Sequence, residues 1–285
     1  MSFFHVLLLA VVQGLAELLP VSSSAHVIMT EKLLGLDPST PDMTLLLVML
    51  HTGTMFAVIV YFWKGWVETY FSSGQAFKKN AILIILATMC TGIVGLILMK
   101  AIEFRYAKTH PGFQIEMLFG NSTLIACGLF AAGLLIIVSS KLKEKKDGEL
   151  TLKSAAIIGV VQGLCLPFRG FSRSGATISA GLSAGVARKR VEEFSFALAV
   201  VLTPAVIVKE VYRVYKDGQA AVTSGAGTAT GAMHGVMGPS LIGMVFSFLA
   251  GLLALRWLSR WLEHDRWHLF GGYCIFTALM VYWLG

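Results

Sequence analysis

Six apolar runs, near Met43–Trp63, Ala81–Ile102, Met117–Ser139, Phe194–Tyr212, Pro239–Leu258 and His268–Leu284, constrain what this chain can fold into more than any other feature. Each approaches the ~20 residues needed to cross ~30 Å of hydrocarbon. A segment open to lipid must satisfy its own backbone, so each run is expected to be a helix. With 56% hydrophobic and only 14% charged residues over 285 positions, the chain has too little polar surface for a soluble domain of that size. Its net charge of +7 does not point to nucleic acid, because the basic residues sit in short loops between apolar runs. Cys90, Cys127, Cys165 and Cys274 lie within apolar stretches and lack metal-ligand spacing, so they are expected to pack as small apolar residues. No cleaved signal peptide is expected either. The N-terminal stretch has no basic leader, and it carries Gln13 and Glu17.

Two further apolar stretches are broken. Phe4–Leu19 stops at Pro20, and its continuation Val27–Leu36 carries Glu31 and Lys32. Ala155–Phe168 is interrupted by Pro167, Arg169 and Gly170 before Gly175–Val186. None of the four limbs is long enough to span, so they are read as two re-entrant helical hairpins. The hairpins share sequence. Val11-Val12-Gln13-Gly14-Leu15 recurs as Val160-Val161-Gln162-Gly163-Leu164 at an offset of 149, and Ser22-Ser23-Ser24 faces Ser172-Arg173-Ser174 at 150.

Three spans follow each hairpin. The expected organisation is therefore a first repeat over residues 1–140, with its hairpin at 1–36, and a second over 151–285, with its hairpin at 151–187, within one membrane domain. Each unit crosses the membrane an odd number of times, so its copy inserts upside down as an inverted-topology repeat. The loops between Trp63 and Ala81, Ser139 and Ala155, Val186 and Phe194, and Leu258 and His268, counted with Arg256 at the end of the span before the last of them, hold 14 Lys and Arg, against 6 in the alternate set. The richer set is cytoplasmic by the positive-inside rule. Both termini then lie outside, and the hairpins enter from opposite faces with their tips meeting near the midplane. Asp217–Gly238, rich in Gly, Ala, Ser and Thr, reads as a flexible outer connection.

The polar residues of the hairpins point to chemistry. Gln13 and Glu17 are four apart, on one helical face, and a carboxylate within a membrane segment is costly enough to mark function. Ser22, Ser23 and Ser24 fall where a helix restarts, at an N-terminus suited to capping and to binding an anion. His26 lies within a turn of them and is a candidate general acid or base, or a nucleophile. In the second hairpin Ser172, Ser174 and Thr177 flank Arg173, whose buried charge needs an anion such as Glu17 or a phosphate. Gly181 and Gly185 are expected to form a packing face. His51, mid-span, is within reach of the site, and is read first as a packed, hydrogen-bonded histidine.

These motifs resemble those of the undecaprenyl-diphosphate phosphatases associated with bacitracin resistance. Gln13 to Glu17, followed by Pro20 to His26, matches the family's first signature, and Gly170 to Thr177 matches its second without a change. Order, spacing and span pattern match over nearly the whole chain. The resemblance implies a hydrolase that removes the terminal phosphate from undecaprenyl diphosphate and so recycles the cell-wall carrier lipid in the bacterial inner membrane. It implies a divalent cation, Mg²⁺ or Ca²⁺, held by Glu17 and phosphate oxygens. Carried over, the catalytic set is Glu17, Ser23, His26 and Arg173, and Gln13 stands at a variable acidic position. The expected binding residues are Gln13, Ser22, Ser24, Ser172, Ser174 and Thr177. The sequence departs from the commoner pattern at Gln13, at Ala25 in place of Gly, and at Phe168-Arg169 where Trp-Pro is frequent.

Ser23 is the first choice of nucleophile with His26 as its base, while attack by His26 itself or by a metal-activated water stays open. The partners expected are a polyprenyl diphosphate, the bilayer and a second copy of the chain, with no nucleic acid. The rival reading is an inverted-repeat flippase that moves a polyprenyl phosphate without cleaving it. A nucleophile and base beside a carboxylate are what a flippase has little use for.

Overall fold

The structure is a computed structural model that describes residues 2–36, 41–108, 113, 115–142, 145, 147–223 and 229–284. Its helices are α1 (Phe3–Leu18), α2 (Ser23–Leu33), α3 (Pro41–Tyr70), α4 (Gly74–Ala107), α5 (Ser122–Ser140), α6 (Leu152–Cys165), α7 (Arg173–Ser183), α8 (Arg188–Thr223), α9 (Ala229–Glu263) and α10 (Trp267–Leu284), with one 3₁₀ turn at Ile115–Leu118. Among the described residues, four segments are long and apolar enough to cross a bilayer: Met43–Tyr70, Gly74–Ala107, Ser122–Ser140 and Met237–Glu263. The remaining two apolar runs of the sequence fall inside α8 and α10. α1 and α6 are apolar but short, at 16 and 14 residues. The chain is an all-helical, multi-pass membrane protein.

Local chemistry explains the breaks. Pro20 disfavours helical backbone at the residue before it, and Leu19 turns to extended φ −73°, ψ 152°, ending α1. α6 opens on a capping box between Thr151 and Ser154. Gly170 follows at φ +103°, where a Cβ would press on the backbone of Ile125 in α5, so only glycine fits.

Two expectations need correction. The third span begins at Ser122 rather than Met117, because Asn121 accepts the Leu124 amide as an N-cap and the residues before it form the separate 3₁₀ turn. The Asp217–Gly238 connection is mostly helical: α8 continues to Thr223 and α9 starts at Ala229, with residues 224–228 outside the described set. Alanines in Gln219-Ala220-Ala221 favour helix over the loop that the Gly and Ser content implied.

Packing is carried by small residues. α1 lies on α9, where a Cβ on Gly14 would sit 2.6 Å from that of Ala250. α6 lies on α4, where Gly163 comes as close to Thr91 and Val94. α3 packs on α8 and α9, and α5 on α10. Gly181 serves the packing role expected of it, against Val191, whereas Gly185 lies beyond the end of α7 at φ +79° and makes a turn.

Candidate active site

The ends of α1 and α6 bring the two broken hairpins together. Ser174 Oγ donates to the Leu19 carbonyl at 3.3 Å, and a Cβ on Gly175 would stand 3.2 Å from that of Pro20. Between the turns sits Glu17. Its Oε2 accepts from Ser23 Oγ at 2.6 Å and from Gln13 Nε2 at 3.2 Å. Its Oε1 faces Arg173 Nη2 at 3.5 Å. The carboxylate is only 20% exposed, so its attraction to the guanidinium is little screened by water. Arg173 lies over the Phe196 ring at 5.9 Å, and its Nη1 is buried with no hydrogen-bond partner among the described residues.

The two helix starts differ. α2 begins after Ser22, whose φ of +65° is unusual for a residue with a side chain and whose hydroxyl makes no capping bond. The amides of its first turn are thus left without a side-chain cap. At α7 Ser172 Oγ does cap, accepting the Gly175 amide at 3.2 Å. The serine capping expected at both turns therefore holds for Ser172 and fails for Ser22. Ser24 lies partly exposed in the first turn of α2.

His26 does not approach Ser23 as a base. Its Nδ1 is 2.8 Å from the Ser22 carbonyl and its Nε2 is 2.8 Å from the Tyr273 hydroxyl, which occupies both nitrogens. The group in hydrogen-bonding contact with the Ser23 hydroxyl is Glu17. Thr177 is fully buried, and its hydroxyl bonds Ser195 Oγ at 2.6 Å and the Arg173 carbonyl at 2.8 Å. It ties α7 to α8, with its hydroxyl taken up by that contact. Arg169 lies 4.5 Å from the Phe119 ring and within Coulombic reach of Glu31, away from the Glu17 cluster.

Two further residues come to the site. His51 of α3, expected first as a packed histidine with an approach to the site as the alternative, does both. Its Nδ1 bonds the Leu47 carbonyl at 2.8 Å, while its Nε2 stands 3.6 Å from Glu17 Oε2 and its side chain is 42% exposed. Tyr273 of α10 was not foreseen; it stacks on the His26 ring, with centroids 5.6 Å apart and planes 11° from parallel. Nothing local in the sequence marks Tyr273; only the meeting of α10 with the hairpin does. Among the described residues no group of three or more His, Cys, Asp or Glu gathers to hold a metal.

Comparison with known proteins fits this site to a family. The family described as bacitracin resistance protein BacA matches residues 6–280. Undecaprenyl-diphosphatase 2 of Acinetobacter baylyi is 61% identical over 279 residues, covering 96% of this chain and 95% of that protein. The undecaprenyl-diphosphatase of Treponema denticola is 32% identical over 292 residues, covering 96% and 94%. That of Thermodesulfovibrio yellowstonii is 29% identical over 283 residues, covering 99% and 97%.

Proposed function

Because the chain belongs to the bacitracin resistance protein BacA family, we propose that it hydrolyses undecaprenyl diphosphate to undecaprenyl phosphate and inorganic phosphate. The observation that carries this reading is the pairing of Ser23 Oγ with Glu17 at 2.6 Å beside an arginine that keeps one buried nitrogen unpartnered. A buried N–H donor without an acceptor is costly, and a phosphate oxygen is an acceptor of the right charge.

In the proposed reaction Arg173 and the uncapped amides of α2 hold the terminal phosphoryl group. Ser23 Oγ attacks its phosphorus as Glu17 takes the hydroxyl proton, and the P–O bond to the bridging oxygen breaks, releasing undecaprenyl phosphate. Water then attacks the phosphoserine, with His26 Nε2 as proton acceptor, as the P–O bond to Ser23 breaks and Glu17 returns its proton to Oγ. Ser23 is restored, inorganic phosphate leaves, and His26 gives its proton to solvent. Arg173 offsets the negative charge that Glu17 and the phosphates bring together. Glu17 is the single carboxylate in the cluster, a donor set that fits Mg²⁺ or Ca²⁺ delivered on the diphosphate better than a metal caged by the protein. Such an ion would supply further charge neutralisation. Gln13 orients Glu17, and Ser172 and Ser174 hold the second turn in place.

The topology we propose is six spans, α3 to α5 and α8 to α10, with α1–α2 and α6–α7 as re-entrant hairpins of opposite orientation. Residues 1–140 and 151–285 are then an inverted repeat. Reciprocal packing supports it, since α1 meets α9 as its counterpart α6 meets α4, through glycines of the repeated Val-Val-Gln-Gly-Leu block. The loop charges favour both termini outside and a site open to the outer, periplasmic face of the inner membrane. With the four native cysteines replaced, single cysteines near Ala25 or Lys32 should react with an impermeant thiol reagent added outside. Those near Lys145 or Lys189 should react only after permeabilisation, and the reverse pattern would turn the molecule over.

The direct test is purified protein in detergent with undecaprenyl diphosphate. Phosphate release that vanishes in Arg173→Ala is expected. Transbilayer movement of a polyprenyl phosphate without phosphate release would instead make the chain a flippase.

A further inference from the structure

We propose that Tyr273 is the positioning residue of His26, holding the ring and its proton-free Nε2 in place until a water or phosphate oxygen takes the position of the tyrosine hydroxyl. The proposal rests on the phosphatase reading of His26 above. A carbonyl oxygen can only accept, so the 2.8 Å contact to Ser22 places the hydrogen of a neutral ring on Nδ1. Nε2 then carries the lone pair, and the Tyr273 hydroxyl, 2.8 Å away, donates to it. The near-parallel stack of the two rings, 11° apart, adds a second restraint against rotation about the Cβ–Cγ bond of His26.

Tyr273 is itself held in register. One residue on, Cys274 Sγ donates to the Pro20 carbonyl at 3.1 Å. Two residues back, a Cβ on Gly271 would lie 2.8 Å from the Gly133 carbonyl, so α10 sits tightly on α5. α10 thus reaches the first turn at two adjacent residues, one on its backbone and one on its histidine. The tyrosine remains 45% exposed, leaving its hydroxyl free to give way when a water or phosphate oxygen takes its place at Nε2. Aromatic packing alone would need the ring and not the hydroxyl, so the two roles separate in one substitution.

The test compares wild-type protein with Tyr273→Phe and Tyr273→Leu in detergent. Tyr273→Phe keeps the stack and loses the donor. Its kcat on undecaprenyl diphosphate should fall about tenfold, the weight of one hydrogen bond to a working group, with KM changed less than about twofold. Tyr273→Leu should fall at least as far. A readout independent of turnover is carbethoxylation of His26 by diethyl pyrocarbonate, followed by peptide mass spectrometry, which should quicken in Tyr273→Phe because Nε2 loses its cover. Full activity in Tyr273→Phe, a loss confined to KM, or unchanged His26 labelling would each overturn the proposal. Wild-type turnover in His26→Asn would overturn it too, by removing His26 from the reaction. Failure of the phosphatase reading shows separately, as wild-type protein that releases no phosphate while the labelling difference persists.

Discussion

The turns that follow α1 and α6 grow from the same repeated block and are finished in opposite ways. At the offset of 149, Glu17 of the first faces Leu166 of the second, and Gln162, the copy of Gln13, donates to Thr91 Oγ1 at 3.4 Å. At the offset of 150, Ser23 faces Arg173 and His26 faces Ala176. The second turn is closed, with Ser172 capping α7, Gly170 wedged on α5 and Ser174 tied to the other hairpin. The first is open: Ser22 leaves its helix uncapped, and Ser23 turns its hydroxyl to Glu17. A pair of equivalent turns has divided its labour. The first carries the groups that can exchange protons and bonds, and the second a fixed cation on a rigid mount.

That division can be broken experimentally, most severely at the charges. Glu17→Ala and Arg173→Ala should abolish turnover. Arg173→Lys should lose at least ~100-fold in kcat/KM, because an ammonium cannot reproduce the planar fork. Near-wild-type Arg173→Lys would reduce the second turn to a point charge. Next comes the pair of serines. Ser23→Ala should cost at least ~100-fold in kcat with little change in thermal midpoint. Ser172→Ala should cost about 1 kcal/mol of stability by losing a cap, with a far smaller loss of rate. An exchange of those phenotypes would reassign the chemistry to the second turn. Chelation with EDTA should then slow turnover about tenfold or more, with recovery on adding Mg²⁺ or Ca²⁺; indifference to EDTA would leave charge neutralisation to Arg173.

A backbone comparison has a smaller effect. Gly170→Ala forces a Cβ onto Ile125 at a positive φ and should destabilise by about 1–3 kcal/mol. Ser22→Gly, relieving φ +65°, should be neutral or stabilising by up to ~1 kcal/mol. Equal effects at both would mean that the two turns are equally tolerant. Least affected should be His51→Gln, a several-fold loss of kcat, since it keeps a donor near Glu17 but loses the imidazole ring.

Much of this was legible in the sequence because breakers and periodicity act locally. Pro20, Pro167 and Gly170 delimit the hairpin limbs, and the spacing of Gln13 and Glu17 places both on one face, as the 3.2 Å contact shows. What escaped depends on partners far along the chain. Tyr273 is 247 residues from His26, and the Glu17 contact with His51 arises from how α3 seats against α1. Thr177 looked like a ligand for an anion from its place one turn beyond Arg173. Its neighbour Ser195, on another helix, takes its hydroxyl. Ser22 has the residue type of a cap without the dihedral angles of one.

The crossed seating of the short helices also dictates an order of events during synthesis. α1 rests on α9 and α6 on α4, so each broken hairpin leans on a long helix from the opposite half of the chain. When α1 and α2 leave the ribosome, the surface that will receive Gly14 lies more than two hundred residues behind them. α6 emerges after α4 and can dock at once, whereas the hairpin bearing Glu17, Ser23 and His26 must wait until α9 has been made. The hairpin that carries Glu17, Ser23 and His26 is therefore the last to be braced, and a chain truncated before α9 would hold its arginine in position before its carboxylate partner is seated.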